Sequence, residues 1–273
     1  YCTSLKEAYL PSTLQAVSPK CFQGDTALEK VMLAEGVQTI GYQAFRNCSS
    51  LREIDIPSTV GVIAIESFIG CTGLEKVVSH AEDVTIGDGA FQNLSNLKTF
   101  SSTGHISWIS KNCFSGCVAL TDLIITAENN WVDNIGEYAF NGCASLKSFP
   151  WLKGTERIDF SAFKGCTSLK EIRMPETETY YTYRFNRTPD MQMFNGDNSL
   201  QALTFPCGTT SYFVLSAADI AGAPLRAVSY SYADDIVPLG NAKSTIKQYS
   251  GTGSYNVEAN PENSILYVKR GQR

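Results

Sequence analysis

The sequence predicts a solenoid in which short β-rich coils stack on one another along one axis. Three observations predict it: Phe recurs at a spacing of mostly 23 residues, Leu stands six residues after each of these Phe residues, and a β-branched residue stands five before nearly all of them. Periods of about 20–50 residues are typical of repeat architectures. A unit this short cannot bury its own apolar face, so neighbouring units must cover one another.

Three apolar columns therefore run through the array. The Phe column contains Phe22, Phe45, Phe68, Phe91, Phe114, Phe140, Phe163 and Phe194. The Leu column contains Leu28, Leu51, Leu74, Leu97, Leu120, Leu146, Leu169 and Leu200. The β-branched column contains Val17, Ile40, Ile63, Ile86, Ile109, Ile135 and Ile158. Two spacings are longer, 26 residues before Phe140 and 31 before Phe194, and they mark insertions.

The sequence of each unit predicts two extended segments and a corner. Leu51 begins the pattern Leu-x-x-Ile-x-Ile, which predicts a short strand, and Pro57 ends it because proline has no N–H to donate. A second extended segment carries Val and Ile. The residue before Phe is mostly small, as at Ala44 and Ala90, which predicts a tight slot. We expect the corner around the Phe to form a short helical turn.

Cysteine fills most positions three residues after the Phe. The column reads Asp25, Cys48, Cys71, Leu94, Cys117, Cys143, Cys166 and Asp197. A metal site, a disulfide ladder and a small buried corner residue are the possible interpretations. We favour the third, because Leu94 fills the same slot and a metal needs ligands that converge. Stacked Cβ vectors run parallel, which suits a disulfide poorly, and the total of nine cysteines is odd. We predict no metal site and no cofactor.

Composition and motifs exclude several functional classes. The net charge of −5 argues against a nucleic-acid partner, which would favour a basic surface. The sequence contains no run of about 18 apolar residues, so it predicts no membrane-spanning helix. Metalloprotease, nucleotide-binding and serine-hydrolase motifs are absent. The two histidines, His80 and His105, occupy different repeat positions and give no support for a nucleophile–His pair. We therefore predict that the protein is not an enzyme.

The repeat unit resembles a known family of leucine-rich repeats. The segments IGYQAFRNCSSLREIDIP at 40–57 and IDFSAFKGCTSLKEIRMP at 158–175 are similar to the repeats of the BspA-like family, also called the Treponema pallidum type. The likeness covers about residues 1–206. It implies a leucine-rich repeat solenoid: a right-handed, β-rich α/β superhelix of about nine 23-residue repeats, with a parallel sheet on its concave side. It also implies an exported bacterial surface protein involved in adhesion, and no shared catalytic residues.

The chain divides into two parts. We expect the solenoid at 1–206, with a truncated first repeat that contains Cys2 and Leu5. An export signal would then lie upstream of this sequence. The repeat columns cannot be followed after Pro206. We therefore expect 207–273 to form degenerate repeats or a strand-rich C-terminal cap. A separate small β domain is the alternative.

Two sets of residues are candidates for binding a ligand. Alternation along the first strand of each unit places one set outward: Met32, Asp55, Val78, Ser101, Ile124 and Arg173. The insertions supply the other set: Trp131, Tyr180, Tyr181, Tyr183, Arg184 and Phe185. Tyr and Arg are enriched at binding hot spots. The alternatives are a solvated sheet face for the first set and a strand covering the solenoid edge for the second.

These patterns favour a non-enzymatic extracellular solenoid that binds proteins, adhesin-like and displayed on a bacterial surface. The expected partner is a host extracellular-matrix protein or another cell-surface protein. A carbohydrate-binding module and a structural spacer of a larger surface protein are the alternatives, because exposed aromatic side chains can stack on sugars and a solenoid can simply extend a chain.

Overall fold

The computed structural model describes most of the repeat array. It describes residues 4–126, 132–149, 155, 157–159, 161–173, 196–197 and 199–200, and the backbone of strands at 202–205, 213–216, 227–230, 236–238, 255–260 and 265–270. The side chains of residues 157, 171 and 173 lie outside this description.

Short strands follow one another along the parts of the chain that the structure describes. Up to the second insertion they are β1 (Glu7–Leu10), β2 (Ala16–Val17), β3 (Lys30–Leu33), β4 (Thr39–Ile40), β5 (Glu53–Ile56), β6 (Val62–Ile63), β7 (Lys76–Ser79), β8 (Asp83–Ile86), β9 (Thr99–Ser102), β10 (His105–Ile109), β11 (Asp122–Ile125), β12 (Val132–Ile135), β13 (Arg157–Ile158) and β14 (Glu171–Arg173). They continue with β15 (Ala202–Phe205), β16 (Phe213–Ser216), β17 (Ala227–Tyr230), β18 (Ile236–Pro238), β19 (Tyr255–Asn260) and β20 (Ile265–Arg270).

The strands of successive coils pair in parallel and build a solenoid. One series follows the Leu column and forms the sheets β1–β3 and β5–β7–β9–β11. The other precedes the Phe column and forms one seven-stranded sheet, in the order β2–β4–β6–β8–β10–β12–β13. Each residue pairs with its counterpart one repeat later, as Ile54 does with Val77. The predicted leucine-rich repeat solenoid is thus confirmed.

The core lies between the two strand series. In β5, Ile54 and Ile56 are buried and Glu53 and Asp55 are exposed, which is the alternation expected of a strand with one covered face. The rings of the Phe column stack from Phe22 to Phe163, with centroids 5.1–5.5 Å apart and planes within 2–11° of parallel. Burying one such ring contributes roughly 1.5–3 kcal/mol, so the column is a large part of the stability.

The corner around each Phe is a chain of tight turns, and the expected helical turn is wrong. Its hydrogen bonds span three residues, such as Ala44 N–H to Gly41 O (3.1 Å) and Cys48 N–H to Phe45 O (3.1 Å). Left-handed residues interrupt any helix on both sides of the Phe. Two positions before it are Lys20, Gln43, Glu66, Gly89, Asn112, Tyr138 and Ser161, with φ of 53–61°. Two positions after it are Gly24, Asn47, Gly70, Asn93, Gly116, Gly142 and Gly165, with φ of 60–80°.

These left-handed residues turn backbone N–H groups toward the next coil. Gln43 donates to Ile65 O (3.1 Å), Phe45 to Ser67 O (2.8 Å) and Asn47 to Ile69 O (2.9 Å). The corner is therefore a third hydrogen-bonded ladder between coils. The backbones approach closely there, which explains why the residue before Phe is small and why Ala44 and Ala90 are fully buried.

The cysteine column adds a side-chain contact between coils. Each buried thiol donates to the carbonyl oxygen of the Phe in the preceding coil, with Sγ–O distances of 2.9–3.2 Å for Cys48, Cys71, Cys117, Cys143 and Cys166. These thiols are free, and burial raises the pKa of Cys117 to about 12. The interpretation of the column as small buried corner residues is confirmed.

The C-terminal strands include antiparallel pairs. β17 pairs in parallel with β15 and antiparallel with β18, and β20 lies antiparallel between β16 and β19. The division at residues 206 and 207, the count of about nine repeats, and the handedness and curvature of the superhelix stay predictions. In the part of the chain that the structure describes, no helix is long and apolar enough to cross a membrane.

The left-handed corner can be tested with two glycines that both have room for a methyl group. A Cβ on Gly142 would lie 4.0 Å from its nearest neighbour, and one on Gly61 would lie 3.9 Å away. Gly142 has φ of +74°, whereas Gly61 is outside the left-handed region. We expect Gly142→Ala to lower the free energy of unfolding by about 1–2 kcal/mol. Gly61→Ala should be neutral or slightly stabilising. Urea unfolding of both variants measures the difference, and equal effects would contradict the role of the corner.

Candidate binding surface

The outward side chains of β1, β3, β5, β7, β9 and β11, with the residue preceding each strand, form one surface, here called the ladder face. Within the sheets β1–β3 and β5–β7–β9–β11 the strands pair in register, and β5 follows β3 at the next repeat, so equivalent side chains form three rows across the coils. The first row is Lys6, Glu29, Arg52, Glu75, Lys98 and Thr121. The second is Glu7, Lys30, Glu53, Lys76, Thr99 and Asp122. The third is Tyr9, Met32, Asp55, Val78, Ser101 and Ile124.

Charges in the first two rows alternate from coil to coil and compensate one another. In the first row, nitrogen–oxygen distances are 3.5 Å for Lys6–Glu29, 3.8 Å for Arg52–Glu75 and 2.7 Å for Lys98–Glu75. The hydrogen bond from Lys98, with its charge and that of Arg52, lowers the pKa of Glu75. Opposite charges facing each other across strands stabilise this pairing, and like charges would oppose a slipped register. These two rows therefore present little net field to a partner.

The third row is different because it is mostly uncharged and partly apolar. Tyr9 is 64% exposed, Met32 39% and Ile124 42%, which is high for large apolar side chains. Val78 and Ser101 are half-buried, and the Ser101 hydroxyl donates to Val77 O at 3.4 Å. Tyr9 and Met32 are in register with each other, and neighbouring exposed apolar side chains are typical of surfaces that contact other molecules.

The structure places five of the predicted site residues in this third row: Met32, Asp55, Val78, Ser101 and Ile124. Sequence reasoning missed Tyr9, the most exposed large apolar residue of the row, which is in register with Met32. The signal was present, since Tyr9 stands four residues after Leu5 just as Met32 stands four after Leu28. The binding role of the row stays a prediction.

The remaining predicted residues lie outside the described part of the structure. Arg173 ends β14, and its backbone alone is described. Trp131 and the aromatic segment with Tyr180, Tyr181, Tyr183, Arg184 and Phe185 lie outside the described residues. Their roles stay predictions.

A polar cluster on the second sheet was also missed. His105 in β10 lies between two aspartates of neighbouring strands, with Nδ1 3.1 Å from Asp83 and Nε2 2.9 Å from Asp133. A bulge in β10 turns Ser107 outward, and its hydroxyl donates to Asp83. The cluster ties three coils together.

Among the described side chains, no group of three or more His, Cys, Asp or Glu residues could hold a metal ion. The buried thiols do not converge on one point, because each binds the carbonyl group of its own neighbouring coil. We therefore treat the ladder face as the candidate functional surface.

The charge rows predict how a single reversal affects stability. Glu75→Lys would place a third positive side chain between those of Arg52 and Lys98. We expect a lower melting temperature at low ionic strength, with the deficit shrinking as added salt screens the repulsion. Glu82→Lys, an exposed change outside the three rows, is the control. Thermal unfolding at about 0.02 and 1 M NaCl measures both variants. Equal melting temperatures for the wild-type protein and Glu75→Lys at low salt would contradict the pairing.

Comparisons with known proteins agree with this geometry. The profile of the BspA type leucine rich repeat region matches residues 1–121 and 84–211, with six copies. A search of curated proteins found no match.

Solved bacterial structures are similar in fold. A leucine-rich repeat protein from Bacteroides ovatus is 27% identical, with a TM-score of 0.59 over 76% of this chain and 50% of its own length. A leucine-rich repeat protein from Eubacterium ventriosum is 26% identical, with a TM-score of 0.51 over 64% of this chain and 45% of its own. The chain thus spans about half the length of these two proteins.

The family match covers well over half of the sequence, and its two ranges span the coils described above. The parallel ladders, the stacked Phe rings and the cysteine column supply the physical basis of that match. The chain therefore belongs to the BspA type leucine-rich repeat family.

Proposed function

We propose that this chain is a non-enzymatic, extracellular protein-binding solenoid of an adhesin-like bacterial surface protein. Its partner is a host extracellular-matrix protein or another cell-surface protein. Membership of the family and the bacterial origin of the two similar structures support this assignment. Solenoids commonly bind other proteins along their extended surfaces.

One observation carries the proposal: the ladder face leaves exposed apolar side chains close to a row of charges that already pair across the coils. Tyr9, Met32 and Ile124 cost free energy in contact with water and gain by burial under a partner. Hydroxyl and carboxylate groups of Ser101 and Asp55 lie in the same row and can orient such a partner by hydrogen bonds. The paired charges around them give specificity without strong electrostatic steering.

The insertions extend the proposed binding surface. Tyr180, Tyr181, Tyr183, Arg184 and Phe185 crowd into six positions, and Trp131 lies in the segment of the shorter insertion. Aromatic and arginine side chains provide most of the free energy at many protein interfaces. Insertions in repeat proteins often face the binding side. We predict from its repeat position that Arg173, which ends β14, continues the same surface.

The proposal predicts that the ladder face and the insertion are both needed for binding. The purified chain would be tested against immobilised matrix proteins, cell-surface proteins and glycans at physiological salt. One variant changes Tyr9, Met32 and Ile124 to Ser, and another changes Tyr180, Tyr181, Tyr183 and Phe185 to Ser. Losing several buried side chains at a hot spot should weaken binding at least a hundredfold.

A matched control tests whether loss of binding is specific to the ladder face or follows from removing any exposed apolar side chains. Tyr42, Val62 and Ile65 are 41%, 41% and 47% exposed but lie outside the ladder face. Changing these three to Ser should leave the affinity for the partner unchanged. If the control variant loses binding and the ladder-face variant keeps it, the surface is misassigned. Saturable binding to glycans alone would favour a carbohydrate-binding module, and no binding by the folded chain would favour a spacer.

A further inference from the structure

The cysteine column has an acidic member where the array reaches its last described corner. Asp197 occupies the position of the buried thiols, three residues before Leu200 as Cys166 is before Leu169. The local turn is the same, because the Leu200 N–H donates to Asp197 O at 3.1 Å and the Leu169 N–H donates to Cys166 O at 2.9 Å. A Cβ on Gly196 would lie 3.8 Å from Gly165 Cα, so this corner stacks directly on the preceding one.

Asp197 is buried without the contact that the thiols make. The residue is fully buried, and neither carboxyl oxygen has a hydrogen-bond partner in the structure. Leu200, three residues later, is fully buried as well. An uncompensated carboxylate in such a place is costly, because burial removes its hydration.

The surroundings favour the neutral form of this carboxyl group. Burial raises the pKa of Asp197 to about 7, although the backbone N–H groups of Cys166 and Gly165 oppose the shift in part. Those groups do not reach hydrogen-bonding geometry. The titratable group that faces Asp197 from the preceding coil is the Cys166 thiol, whose pKa is raised by burial and then by Asp197. No charged side chain of the described residues shifts the pKa of Asp197.

Protonation would also restore the missing contact. A thiol in this column is a hydrogen-bond donor, and each one binds the carbonyl oxygen of the Phe in the preceding coil, as Cys166 binds Phe140 at 3.2 Å. A carboxylate can only accept, whereas a protonated carboxyl group carries an O–H that can donate. Cys166 donates to the Phe of the preceding coil, so the equivalent acceptor for a protonated Asp197 is the carbonyl oxygen of Phe163.

We propose that Asp197 forms a pH-sensitive joint, by which we mean the packing of the coil that contains Leu200 against the coil of Phe163. This joint is closed, with the two coils firmly packed, in mildly acidic solution. The packing weakens as the carboxyl group ionises. This joint is a property of the fold and does not depend on the proposed binding function. It would make the attachment of the C-terminal coils responsive to pH between mild acidity and neutrality, while the coils between Phe22 and Phe163 stay unchanged.

The sign of the effect follows from proton linkage. The pKa is raised in the closed joint relative to about 3.9 in an open chain, so the closed state binds the proton more tightly. Stability of the joint is fully present below about pH 4 and is lost as pH rises through about 7. Between these values the closed-to-open ratio falls up to about tenfold for each pH unit.

Hydrogen exchange at pH 5–8, corrected for intrinsic exchange rates, tests this directly on the whole chain. Protection of residues 196–200 in the wild-type protein should fall about tenfold per unit between pH 5 and pH 7. In Asp197→Cys, which restores the thiol, and in Asp197→Asn, which is neutral, protection there should not vary with pH. Protection of the Leu51 N–H, bonded to Cys48 O at 3.2 Å, should stay constant in all of them.

Asp122→Asn removes an exposed carboxylate of the ladder face and serves as the matched control. It should keep the wild-type dependence on pH at residues 196–200. Wild-type protection that does not change between pH 5 and pH 7 would overturn the proposal. So would a fall of the same size in Asp197→Asn and Asp197→Cys. Because the measurement uses no ligand, its outcome is separate from that of the binding experiment.

Discussion

The fold depends on the hydrogen bonds that connect one Phe corner to the next. In the corners of Phe22, Phe45, Phe91 and Phe114, the N–H groups of the Phe and of the residues two before and two after it donate to the following coil, as at Gln43, Phe45 and Asn47. Left-handed φ values on both sides of the Phe make this geometry possible, and the stacked rings and the thiols fill the space between the ladders. The corner keeps its register across the 26-residue spacing, since Phe114 N–H still donates to Ala139 O at 2.8 Å. Added residues are therefore accommodated elsewhere in the coil.

The fixed register of strand pairing between coils aligns equivalent residues of successive repeats into rows on the surface. Because each strand pairs with its counterpart in the next coil, residues at the same repeat position line up, and Lys6–Glu29 and Lys98–Glu75 become neighbours. The same rule places Tyr9 beside Met32. The solenoid thus separates two tasks: its inner columns supply most of the stability, and its outer rows add only the smaller contribution of their exposed charge pairs. This separation is the physical reason why a repeat fold of this kind suits a binding surface.

Sequence reasoning identified what hydrophobic periodicity encodes. The Phe, Leu and β-branched columns and the buried thiols followed from spacing alone. The helical corner was wrong, because φ is not encoded by hydrophobicity and nothing in the side chains of Lys20, Gln43 or Glu66 marks a left-handed residue. The alternation of Gly and Asn two residues after the Phe, as at Gly24 and Asn47, was the signal that could have indicated it. The contacts of His105 were not predicted, because they depend on how β10 pairs with β8 and β12, and the register shift between Ile106 and Trp108 breaks the regular repeat spacing there.

The central claim is that a partner covers the third row of the ladder face. Covalent footprinting of the complex, with a reagent that labels exposed aromatic, methionine and aliphatic side chains, tests this claim most directly. The account predicts that Tyr9, Met32 and Ile124 lose labelling when the partner is bound, while Tyr42 and Ile65 keep it. Protection of Tyr42 and Ile65 with unchanged labelling of Tyr9, Met32 and Ile124 would contradict it.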